Sequence, residues 1–170
     1  MQIIMENFRI GAYNGIKIDC WSRQQLVGLR HLLQQEGCLA SENKFSDDDK
    51  AVELDEVQRR ISQKYHCDKK SSADILLHIL ENHREKLLLA DAKFRVSNIN
   101  NLDAREIDKK IKESKAMVQS DIPFYTKFYI LLKSQAVSAS KLSAIRRKFK
   151  NNPNMLFMDA ISFHKLFEVG

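Results

Sequence analysis

Along most of this chain apolar residues recur at spacings of three and four, with polar residues filling the positions between them. The longest such stretch is residues 72–95, SADILLHILENHREKLLLADAKFR, which has no Gly and no Pro. Leu76, Leu80, Leu87 and Phe94 form one stripe, and Ala73, Leu77, Leu88 and Ala92 widen it. This spacing predicts an amphipathic helix with a broad apolar face. Ser71 and Ser72 stand where N-cap acceptors belong, and Asp74 falls in the first turn, where the helix dipole is positive. A helix of this length that is apolar on more than one side belongs at the centre of a bundle.

Further helices are predicted around it. One starts at Ser22, which has capping-box spacing to Gln25, and stops at Gly37. Another starts at Ser46, whose three following aspartates suit a helix N-terminus, and runs through Val52, Leu54, Val57, Ile61 and Tyr65. Residues Asp103 to Gln119 carry Ile107, Ile111 and Val118 inward on an otherwise charged helix. Pro123 fits the first turn of an aromatic helix through Phe124, Tyr125, Phe128, Tyr129, Leu131 and Leu132. Ser138 or Ser140 opens a helix through Leu142, Ile145 and Phe149, and Asn151 to Asn154 break the chain before an apolar terminal helix, Met155 to Val169. Only residues 7–21 read differently. Phe8, Ile10 and Ala12 alternate, Asn14-Gly15 follow, then Ile16, Ile18 and Cys20 alternate, which predicts a small β-hairpin. The expected fold is mainly α, a bundle of about six to seven helices around a central helix at 72–95, forming one helical domain over 1–170.

Composition supports helices: five Gly and two Pro are too few for the many turns of an all-β fold. No apolar run reaches the roughly 18 residues of a transmembrane helix, and the first residues lack the basic and apolar regions of a secretory signal. Three scattered cysteines predict no disulfide framework, so a reducing, cytoplasmic setting is expected. Charge is uneven. Residues 122–170 hold eight Lys or Arg against two Asp or Glu, an excess equal to the whole formal charge of +6. Such a basic subregion attracts polyanions or acidic partners.

Candidate chemistry is sparse. Cys38, Cys67, His78 and His83 lack the paired spacing of a zinc site, and Asp47 to Asp49 lack a calcium-loop pattern. No glycine-rich phosphate loop and no nucleophile signature is present. No catalytic residue, metal or cofactor is therefore assigned. One segment has a partner-binding signal. Residues 131–150, LLKSQAVSASKLSAIRRKFK, resemble a helix-turn-helix: Ala136-Val137-Ser138 takes the place of the turn, and Leu142 and Ile145 point inward on the second helix. Leu132, Gln135 and Ala136 depart from the residues usual in that motif. The resemblance would place Lys141, Arg146, Arg147, Lys148 and Lys150 toward phosphates or base edges. Two functions are expected from these features. One is a non-catalytic protein-interaction module, such as an adaptor, regulator or inhibitor. The other is a DNA-binding regulator using 131–150.

Overall fold

The computed structural model describes residues 7–167; the first six residues, part of the signal-peptide reading, and the end of the predicted terminal helix lie outside them. In chain order the strands and helices are β1 (Phe8–Ile10), β2 (Lys17–Ile18), β3 (Val27–Gly28), α1 (Leu29–Gln35), β4 (Lys50–Glu53), α2 (Leu54–Tyr65), β5 (Ile75–Glu81), β6 (Arg84–Ala92), α3 (Ala104–Met117), β7 (Val118–Gln119), β8 (Phe124–Leu132), α4 (Ala139–Lys148), β9 (Met155–Asp159) and α5 (Ala160–Lys165). The fold is mixed α/β, not a helical bundle. A mixed sheet runs in the order β3-β4-β5-β6-β8-β9, with β1 also paired to β5, and β2 and β7 make a separate two-stranded ribbon.

The predicted central helix is a β-hairpin. β5 and β6 pair antiparallel from Ile75 opposite Ala90 to Glu81 opposite Arg84. Asn82 and His83 make the turn, both with positive φ (50° and 67°), as a tight two-residue hairpin turn requires. The physical reason is burial on both faces. Leu76, Leu87 and Leu89 face one core, while Ile75, Leu77, Ile79, Leu88 and Ala90 face the other. A strand covered on both sides reads as a continuous apolar run, which helical periodicity also fits.

β6, β8 and β9 are parallel, and their crossovers are α3 and α4. Side chains of α2, α3 and α4 (Val57, Ile107, Ile145) fill the core on one face. Leu29, Leu32 and Leu33 of α1 and Phe163 of α5 fill the core on the other.

The same two-sided burial corrects two other predicted helices. Residues 124–132 form β8, with Phe128, Ile130 and Leu132 facing one core and Tyr129 and Leu131 the other. The terminal apolar segment splits into β9 and the short α5. The helix expected from Ser46 begins only at Leu54. Asp49 instead closes a turn by accepting from the Ser46 N–H, and Lys50–Glu53 is a strand. Near Ser22 the Gln25 side chain does accept from the Ser22 N–H, over a single 3-10 turn, and α1 follows at Leu29. Gly37 ends that helix at φ +99°, as predicted. The helix expected over Asp103 to Gln119 is found over Ala104–Met117, capped by Asp103, while Val118–Gln119 is the strand β7, and the helix expected after Ser138 is found over Ala139–Lys148.

The expected N-terminal hairpin does not pair with itself. A turn lies at Asn14-Gly15, but β1 pairs with β5 and β2 pairs with β7. His78 pins this arm to the sheet. Its Nδ1 accepts from the Tyr13 N–H at 2.8 Å, its carbonyl accepts from the Gly11 N–H at 2.7 Å, and Tyr13 packs edge-on to the imidazole. A Cβ on Gly11 would stand 2.6 Å from His78 Nδ1, so only glycine fits there.

Two outcomes are expected in urea denaturation. Leu87 is fully buried, so Leu87→Ala should cost about 2–5 kcal/mol, and Leu80→Ala, at a half-buried position, clearly less. Gly11→Ala should cost about 1–3 kcal/mol by overpacking against the imidazole.

Candidate functional site

At the open end of the β5–β6 hairpin, the register that sets Ile75 opposite Ala90 sets Asp74 opposite Asp91. The two residues are bonded through main chain and side chain together. The Asp74 N–H donates to Asp91 Oδ1 at 3.3 Å, and the Ala92 N–H donates to Asp74 Oδ2 at 2.8 Å. Alternation places Asp74 and Asp91 on the face that Leu76, Leu87 and Leu89 share, beneath α3. Lys93, two residues beyond Asp91, keeps that face.

Asp91 is completely buried, yet it carries two lysines. Lys110 of α3 places its Nζ 3.1 Å from Asp91 Oδ2, and Lys93 places its Nζ 3.4 Å from the same oxygen. Asp74 differs. Burial first, and then the neighbouring Asp91 charge, push its carboxyl up to about 8, with Glu36 adding further repulsion. For Lys110, burial is the largest influence and works against the charge, but Asp91, the contact with Lys93 and Asp74 together outweigh it and raise the ammonium pKa. Two carboxyls in contact, one of them fully buried and one with its pKa raised, facing two lysines, mark a functional-site candidate more strongly than a lone ion pair does.

The surrounding elements fix this geometry. Ser114 of α3, fully buried, accepts through Oγ from the Ala73 N–H at 2.8 Å and holds the start of β5 against the helix. The first N–H of α2, at Leu54, donates to the Asp74 carbonyl at 3.2 Å. Beyond Lys93 the N–H of that residue continues the sheet to Leu131 of β8 at 2.7 Å. A small cavity of about 60 Å³ adjoins the site, lined by Lys93, Leu102, Asp103, Glu106, Ile107 and Lys110. A second acidic group lies near: burial, then Glu56, Asp55 and Glu36, raise the Glu53 carboxyl, and His31 opposes them.

The basic residues singled out in the sequence lie elsewhere. Lys141, Arg146, Arg147 and Lys148 are on α4 and Lys150 just follows it, and all five side chains are exposed. Lys141 bonds the Gln135 carbonyl at 3.0 Å. Lys148 bonds the Asn100 carbonyl at 2.6 Å, in the loop that also supplies Leu102 and Asp103 to the small cavity. The helix-turn-helix resemblance does not survive. Leu131 and Leu132 end a buried strand, and a 3-10 turn at Ser134–Ala136 follows.

Cys38, Cys67, His78 and His83 do not converge. His78 is buried on β5, His83 is in the hairpin turn and Cys67 is exposed. Among the described residues no three His, Cys, Asp or Glu side chains meet in a metal-holding group, and no helix is long and apolar enough to cross a membrane.

The sequence reading places Asp74 in the first turn of a helix and Lys110 on a charged helix face, and gives Asp91 and Lys93 no role. The available signal was Asp91 alone in the apolar run LLLADAKF, with Lys two residues on. No family model matches the chain, and neither a curated protein nor a solved structure matches it significantly.

Asp74 gives a pH prediction. Its carboxyl is raised to about 8 from an ordinary 3.8, so from about pH 4 to 8 the unfolded chain releases a proton that the folded chain keeps. The native state therefore loses stability as pH rises through that window. Asparagine can accept from Ala92 and donate to Asp91 without ionising. Asp74→Asn should be more stable than the parent in urea melts, by a margin that widens from pH 5 to pH 8. A constant or reversed margin would mean that Asp74 is ionised in the folded protein.

Proposed function

We propose that this protein hydrolyses phosphodiester bonds in nucleic acid, using a divalent cation held at Asp74 and Asp91. The observation that carries the reading is the bonded carboxylate pair at the open end of the hairpin, one member fully buried, with Lys93 just past the end of β6. A buried carboxylate pair disfavours double ionisation, and a cation between the oxygens removes that penalty. Two protein carboxylates suit Mg²⁺ or Mn²⁺, because magnesium keeps several waters and takes remaining ligands from substrate phosphates.

The cation would supply a bound water of lowered pKa and a Lewis acid for the phosphoryl oxygens. The chain's own residues do the rest. Asp91 and Asp74 would hold the cation from the two sides of the β5–β6 hairpin's open end. Lys93 offers an ammonium to the negative charge that builds on the phosphorus-bound oxygens. Asp74 must give up its proton for the cation to load, so loading should release a proton and strengthen with pH.

Nucleic acid is the favoured polyanion because the chain's whole excess of positive charge lies in residues 122–170, and Arg146, Arg147 and Lys150 are exposed on and after α4. These residues supply sequence-independent phosphate contacts rather than base readout. The second reading is a non-catalytic protein-interaction module. Its support is the large apolar side chains left exposed, Tyr65 at 55% and Leu39 at 54%.

The deciding assay incubates the full chain with plasmid DNA, and separately with RNA, with Mg²⁺ or Mn²⁺ and with chelator. Cation-dependent cleavage is expected, falling at least about a hundredfold in Asp91→Asn, the scale on which removing an electrostatic catalytic group acts. The Arg146→Ala/Arg147→Ala variant should keep the cleavage chemistry but bind DNA more weakly, with a shallower dependence on salt. Cleavage unaffected by Asp91→Asn would remove the hydrolytic reading, and binding to neither nucleic acid would leave the protein-interaction reading.

A further inference from the structure

We infer that Lys110 is a resident counter-ion of the carboxylate pair, which a divalent cation must displace into the adjoining cavity for the site to load. This rests on reading Asp74 and Asp91 as the cation site. The Lys110 Nζ lies 3.1 Å and 3.5 Å from the two Asp91 oxygens, so it covers both sides of the carboxylate that a metal would use. Lys93 lies 3.4 Å from one of those oxygens and directly follows the strand that holds Asp91. Lys110 comes instead from α3, on a flexible stem that is largely buried, with 16% of the side chain exposed.

Lys110, within 3.5 Å of both Asp91 oxygens, competes with a divalent cation for each of them, because like charges repel strongly in a poorly screened site. The cation-free protein is thus kept stable by the same group that opposes loading. The structure also shows where the ammonium can go. Lys110 lines the cavity of about 60 Å³ whose wall includes Asp103 and Glu106, both exposed at the start of α3. Glu106 stands four residues before Lys110, the favourable acid-to-base order for an i,i+4 pair on a helix. The swing would move positive charge from Asp91 to Glu106 and open the carboxylate to the cation. Cation occupancy and the position of α3's lysine are then mutually exclusive states of one site.

The test is calorimetric titration of the full chain with Mn²⁺ alone, with no nucleic acid present. Lys110→Met, which keeps the stem and removes the charge, should bind Mn²⁺ about tenfold more tightly than the parent. Without Mn²⁺ it should melt at a lower temperature, and saturating Mn²⁺ should close that gap. Glu106→Gln, at an exposed position, should bind Mn²⁺ several-fold more weakly because the displaced ammonium loses its receiving carboxylate. If Lys110→Met does not fold, Lys110→Gln retains an N–H donor toward Asp91 and carries the same expectation. Mn²⁺ affinity that is equal to or weaker than the parent's in the Lys110 variant would overturn the counter-ion role while leaving the cation site intact. Absence of Mn²⁺ binding in the parent and both variants would overturn the cation site itself, and this role with it.

Discussion

The β5–β6 hairpin is covered on both faces, and that requirement places most of what surrounds it. A strand pair with leucines on each side needs two layers of cover. Helices α2, α3 and α4 supply one layer, and α1, α5 and the aromatic cluster of Phe45, Phe163 and Phe167 supply the other. The parallel strands β8 and β9 can then be added only by crossovers, and α3 and α4 serve as those crossovers while closing the first layer. The short N-terminal strand β1 completes the cover of β5's far half, fastened by His78.

Burial of this kind is favourable for leucine and costly for aspartate. Asp91 keeps its place because two lysines and the Asp74 N–H meet its oxygens, all within 3.5 Å. Removing a single partner from such an arrangement leaves charge in a poorly solvated place, which ordinary structural selection avoids. A carboxylate pair placed there, one member fully buried, is what the proposed cation site would account for. Ser114 strengthens the point. It is a buried hydroxyl on α3 whose visible task is to hold the strand that presents Asp74.

Part of the chain is legible by pattern, and the largest failures share one cause. The helix at 104–117 and the helix after Ser138 are amphipathic, half-solvated elements, and for those the three-and-four spacing is diagnostic. Gly37 and Asp103 also did locally what their chemistry suggests. The hairpin, β8 and β9 are buried on two faces, so Leu76-Leu77, Leu87-Leu88-Leu89 and Ile130-Leu131-Leu132 have no polar face from which to read a period. Leucine's helix propensity then tips the reading the wrong way, and tertiary burial overrides it. The site was lost with the hairpin. On a helix, Asp74 and Asp91 are about 25 Å apart at 1.5 Å per residue, whereas across a hairpin they are neighbours. Basic residues on α4 were visible because exposure needs no knowledge of topology.

The distance between turn and carboxylates has a consequence for how this chain can vary. Asp74 and Asp91 face each other only because the turn at Asn82 and His83 has two residues and every later pair follows from it. The turn is seven strand residues away, about 23 Å at 3.3 Å per residue. Exchanging residues at that tip leaves the carboxylates where they are. Inserting or deleting one residue there shifts the pairing, and a one-place slip turns every side chain of β6 to the opposite face. Length at a remote, solvent-exposed corner thus fixes the site as tightly as the acidic residues do, while its residues need only accept the positive φ of the two turn positions.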